Sequence, residues 1–179
     1  MRTILRGASA AALALAIGAA PVFAANPGAK PGDATIVEIV LVTDGEFDVL
    51  QAAVIEAGLA GALSSTDDQY TVFAPTDAAF VATFRAVLGN NALTEADVIG
   101  FIEAGGVDTA FGDGALADIL LFHVTNGRRT AKSVVRAPGY TMLNGDRLSR
   151  AQLFDAGIAA TNISASNGVI HVINWVLLP

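Results

Sequence analysis

The chain has 179 residues, 10 Lys or Arg against 17 Asp or Glu, a formal net charge of −7, and no cysteine. So acidic a surface repels phosphate backbones and anionic headgroups, which argues against nucleic acid as a partner and against electrostatic docking on membranes. Without thiols there is no disulfide, no thiol catalysis and no lipid attached through an N-terminal cysteine, so the fold must be held by its core.

At the N-terminus, Arg2 and Arg6 precede a run of small or apolar residues, 8–20, and Val22, Phe23 and Ala24 follow with side-chain sizes that a signal peptidase accepts. Residues 1–24 are therefore expected to be a cleaved secretory signal, because the run falls short of the roughly 20 residues that a bilayer span needs. The mature chain would then carry eight basic and 17 acidic residues, no transmembrane segment, and a periplasmic or extracellular location. Residues 25–33 are rich in Pro and Gly and are expected to be a linker. Residues 34–179 have the length of one domain with a sizeable core.

Asp33 is expected to cap a first helix, in which Ile36, Val37, Ile39 and Val40 recur at helical spacing, with Asp44 and Gly45 stopping it. Phe47, Leu50, Val54, Ala57 and Leu59 line a second helix. A short strand at 70–74 runs straight into a helix whose stripe is Phe80, Phe84 and Leu88, with Thr76 or Asp77 as its cap. Thr94 and Asp97 make a capping-box pattern ahead of Val98, Ile99 and Ile102. Residues 105–114 are glycine-rich and expected to be a loop, whose Asp108 and Asp113 lack the ligand spacing of a calcium-binding loop. Leu116, Ile119, Leu120 and Phe122 belong to a further helix, Asn144 and Gly145 to a type I′ hairpin turn, and 158–163 to a strand. Arg128, Arg129 and Lys132 form a basic cluster that is expected to be solvated. Helices first and strands last indicate an α+β domain.

From Val169 to Leu178 eight of ten positions are apolar, which suits a strand covered on both faces, opened by a turn at Asn167 and Gly168 and ended by Pro179. Within it, His171 and Asn174 are expected to fix the register through hydrogen bonds to specific partners. Catalytic signals are weak. There is no Gly-x-Ser-x-Gly elbow, no His-x-x-x-His pair, no phosphate loop and no dinucleotide fingerprint. His123 and His171 have apolar flanks and are read as structural, with no cofactor and no metal called for. The rival reading is a small-ligand carrier or hydrolase that uses an apolar pocket near His123 or His171.

Four segments in order resemble the fasciclin (FAS1) domain. Thr71, Phe73, Ala74, Pro75, Thr76, Asp77 and Phe80 match the first family motif, Leu120 to Val124 with Gly127 the central histidine segment, Thr141 to Gly145 a hairpin, and Gly168, His171, Asn174 and Pro179 the second motif. The resemblance implies a wedge of β-strands packed with a layer of α-helices, and a secreted, non-catalytic adhesion or interaction module that contacts cell-surface or matrix protein. In animal members, integrin adhesion is assigned to a Tyr-His pair and an Asp-Ile pair. The matching positions here are Phe122-His123 and Asn162-Ile163, so a phenol and a carboxylate are missing and integrin binding is not carried over. These four residues, with the glycine-rich segment, are the expected partner-contact surface. The family usually has Asp where Asn174 stands, which implies a neutral hydrogen-bonding role at that position.

Overall fold

The computed structural model describes residues 32–43 and 45–179. The expected signal segment, all of the linker but Gly32 and Asp33, and Asp44 lie outside the described residues. Helix α1 (Ile36–Val42) is capped by Thr35 rather than Asp33, because Thr35 and Glu38 satisfy each other's backbone N–H groups in a capping box. Then follow α2 (Asp48–Glu56), the single turn α3 (Ala60–Leu63), strand β1 (Tyr70–Pro75) and α4 (Asp77–Leu88). Thr76 caps α4, its hydroxyl accepting from the Ala79 N–H at 3.2 Å, and Gly89 ends the helix at a φ of 64°. The capping box of Thr94 and Asp97 opens α5 (Glu95–Glu103).

Residues 105–114 are not a loop: they hold α6 (Gly106–Phe111), followed by α7 (Ala115–Leu121). The glycines there mark helix ends. Gly105, Gly112 and Gly114 all take positive φ, and Val107 anchors the short helix in the core. Asp108 accepts the Leu116 N–H at 2.9 Å and so joins α6 to the first turn of α7. The rest of the chain forms β2 (Val124–Asn126), α8 (Ala131–Arg136), β3 (Gly139–Thr141), β4 (Arg147–Ser149), α9 (Arg150–Asp155), β5 (Ile158–Ala165) and β6 (Gly168–Ile173).

Four strands lie in the order β2-β1-β6-β5, with β1 parallel to β6 and the outer pairs antiparallel, while β3 and β4 form a separate hairpin. Side chains alternate across the two central strands, and this divides the core. Val72, Ala74, Ile170 and Val172 face the helices, and Phe73 and Ile173 face the hairpin side, where Phe122, Tyr140, Met142, Leu148 and Leu153 gather. Gly168 permits the close approach of β6 to β1: a Cβ there would sit 2.1 Å from the Tyr70 carbonyl oxygen.

Two local expectations are corrected. The β3–β4 turn is not type I′, since Gly145 is at positive φ and Asn144 is not; the Gly145 N–H closes on the Met142 carbonyl at 3.0 Å. The terminal strand stops at Ile173, before Pro179, because the chain turns away. There the Asn174 N–H bonds the carbonyls of Ala156 and Gly157, and those of Val176 and Leu177 bond the side chains of Thr83 and His123. Asn174 and Pro179 are exposed, so the Asn174 side chain does not fix the strand's register from within the core.

Candidate functional site

His123 follows the C-terminal end of α7. A carbonyl can only accept and an amide N–H can only donate, so its bonds define the tautomer. Nδ1–H donates to the Ile119 carbonyl at 2.7 Å, and Nε2 accepts the Leu177 N–H at 2.9 Å. Burial pushes the imidazole down to about 4, against a smaller upward pull from the Ile119 carbonyl, so the ring is neutral at pH 7. The cavity beside it, walled by Ile36, Val40, Leu50 and Val72, measures about 30 Å³, room for a water or two at roughly 10–15 Å³ each and for nothing larger.

His171, on β6, is the opposite tautomer. Its Nε2–H donates to the Arg129 carbonyl at 2.8 Å, Nδ1 accepts the Asn162 N–H at 3.4 Å, and the ring stacks on Phe73 with centroids 5.8 Å apart. Burial lowers its pKa, again opposed by the carbonyl. Thr71 adds to the same stitch, donating to the Gly127 carbonyl and accepting the Arg129 N–H at 2.8 Å. Both backbone groups of Arg129 are thus held by side chains of the central strands. With both nitrogens of both rings engaged by backbone, neither histidine has a lone pair for general-base work or an N–H for a substrate.

The expected contact residues separate. Phe122 is 1% exposed, its ring in the hairpin-side core, and His123 is 3% exposed. A partner cannot reach that pair in this conformation. Asn162 is exposed and Ile163 half-buried. They sit where β5 departs from regular pairing with β6, and Asn162 takes a φ of 62°. Its side-chain oxygen accepts the Ala131 N–H at 2.9 Å, supplying α8 with the cap that Thr130 does not. Of the basic cluster, Arg128 bonds the Ala165 carbonyl and the Ser164 hydroxyl, and Arg129 lies 6.0 Å from the Tyr140 ring centroid.

Two polar residues have roles that local sequence did not show. Asn167, expected only as a turn former, is fully buried: it accepts the Ile36 N–H at 2.9 Å and donates to the carbonyls of Leu63 and Ser65 at 2.8 and 2.9 Å. Asp77 does not cap its own helix. Its carboxylate accepts the N–H groups of Asp48 and Val49, at 3.1 and 2.9 Å, and caps α2. Burial raises its pKa, with the two backbone bonds opposing. Asp48, Asp77 and Glu95 bring a carboxylate oxygen each within 4.8 Å of one another, the group among the described residues with the donor spacing of a metal site.

Compared with known proteins, the chain matches the family model of the fasciclin domain over residues 45–179. Protein sll1483 of Synechocystis is 33% identical over 151 residues, 81% of this chain and 73% of that protein. Transforming growth factor-beta-induced protein ig-h3 of Sus scrofa is 32% identical across 78% of this chain, which spans only 19% of that larger protein. Among solved structures, a FAS1 domain pair from the insect cell adhesion molecule Fasciclin I superposes with a TM-score of 0.54 at 15% identity, covering 83% of this chain and 52% of that one.

Proposed function

This chain belongs to the fasciclin family, and on that premise we propose that it is an exported, non-catalytic module that makes protein contacts at a cell surface or in a matrix. The observation that carries the reading is the engagement of all four imidazole nitrogens by backbone groups inside a fasciclin domain, which favours a structural over a chemical use of the motifs. Adhesion is the role named for the insect relative. Export is supported by the charge and apolar pattern of residues 1–24, and no helix among the described residues is long and apolar enough to cross a membrane.

The contact surface we assign is the outer edge of β5 at Asn162 and Ile163, because β5 ends the sheet and no further strand pairs with it among the described residues. The test is saturable retention of the purified exported chain on its native cell envelope or surrounding matrix. Ile163 packs partly against the core, so the probe is its exposed neighbour on β5: Thr161→Glu should weaken retention about tenfold, the equivalent of 1.4 kcal/mol, with the unfolding midpoint little changed. Absence of retention, or retention that Thr161→Glu leaves intact, overturns the assignment.

A further inference from the structure

Helices α4, α6 and α7 and the tail after β6 enclose a groove of about 300 Å³ that contains neither histidine. Its floor is buried apolar surface from Phe80, Val107, Leu116 and Val176, and its mouth is ringed by Val87, Phe111 and Leu178, each more than two fifths exposed. Large apolar side chains clustered round a concavity are a recurrent mark of a binding site. An engineered apolar cavity in another protein, about 150 Å³, holds benzene, so this groove has room for a body of two fused rings. The thirteen lining residues fall short of the roughly 20–30 a side that a stable protein interface uses.

Charge selects the ligand further. Asp118 is the one acidic or basic side chain among the lining residues, is exposed at the mouth, and has no hydrogen-bond or ion-pair partner among the described residues. Three of the walls are phenylalanine rings, whose faces attract cations. A carboxylate ligand would meet Asp118 and an acidic protein; an ammonium would meet a matching charge.

We propose that the groove binds a compact aromatic or alicyclic amine of about bicyclic size, with its rings desolvated against Phe80, Phe84 and Phe111 and its ammonium group paired with Asp118. The site shares no residue with the β5 edge, so it stands or falls apart from the adhesion reading.

The experiment is an amide-resolved NMR titration of the exported chain with 1-naphthylmethylamine, 1-naphthalenemethanol and 1-naphthylacetate, beside sedimentation at each protein concentration. The amine should bind saturably, with shifts confined to α4, α6, α7 and residues 174–179, and about tenfold more tightly than the acid. Asp118→Asn should remove the preference for the amine and leave the alcohol's affinity unchanged. Ala115→Trp, which fills the groove, should abolish binding of all three, and Phe111→Ser, at a position more than half exposed, should weaken all three. Shifts elsewhere, equal affinity for amine and acid, or an Asp118→Asn protein that keeps the preference overturns the proposal. So does self-association that Phe111→Ser disrupts, because a second copy would then cover the groove.

Discussion

The sheet around its two histidines and the groove between α4, α6 and α7 are built on opposite terms. Around the sheet, four buried polar side chains are matched to backbone groups of complementary polarity: His123, His171, Thr71 and Asn167 bond nine backbone groups on eight residues between them, Arg129 supplying two. In the groove, large apolar side chains are left open to solvent. Most of the residues that make the sequence recognisable thus close the fold, and although Phe80 of the first motif floors the groove, the exposed Val87 and Phe111 at its rim carry no motif. A motif can record what a chain needs in order to fold, while the surface that meets a ligand is left to side chains of ordinary type.

Asn167→Ala tests the closed region most severely. The side chain joins α1, the end of α3 and the turn after it to the start of β6, with partners as far as 131 residues away in sequence. Its loss strands a buried N–H and two carbonyls, which should cost about 3–5 kcal/mol, a large part of the roughly 5–15 kcal/mol that holds a domain. Urea unfolding measures it, and a loss below about 1 kcal/mol would mean that water reaches these groups and the region is not closed.

His171→Leu keeps the volume but orphans the Arg129 carbonyl and the Asn162 N–H, and should cost about 2–3 kcal/mol. Retention on envelope or matrix, measured well below the unfolding midpoint, should persist. A variant as stable as wild type that no longer binds would instead place His171 in recognition.

Acidification probes the same closure more gently. The unfolded chain protonates His123 near 6.5 and the folded chain only at about 4. A depressed histidine pKa gives stability that is present above the unfolded value and lost as pH falls through this window, here about 2 kcal/mol between roughly pH 7.5 and 5. His171 acts in the same direction. Asp77, whose pKa is raised, has the opposite sign and gains stability as pH falls, which matters nearer its own range. Urea midpoints across the window check this; a flat profile means that a proton enters the folded His123 site.

What could be read from sequence was local. Thr76 before α4 and the box of Thr94 and Asp97 act within one helical turn, and the apolar density of β6 reflects its place inside the sheet. What could not be read was distant or conditional. Asp77 has its targets 28 and 29 residues upstream on another helix, and nothing beside Asn162 announces that its amide will cap α8 from 31 residues away. The glycines around α6 look like a loop because the residues that stop helices also punctuate short ones. The stripe of Phe80, Phe84 and Leu88 predicted a buried face, but periodicity does not say how far the neighbours extend: Phe80 is covered, Phe84 partly, and Leu88 is exposed.

The smallest expected effect on stability sharpens the comparison most. Phe111 is more than half exposed at the mouth of the groove, so Phe111→Ser removes little buried surface and should shift unfolding by no more than about 0.5 kcal/mol. If the groove is a binding surface, the same substitution weakens the naphthyl ligands while leaving the His123 pH profile unchanged. A substantial loss of stability would show instead that Phe111 supports α6 as a core residue does. The open region would then be an incomplete part of the fold rather than a surface set apart from it, and the contrast with the closed sheet would become one of degree.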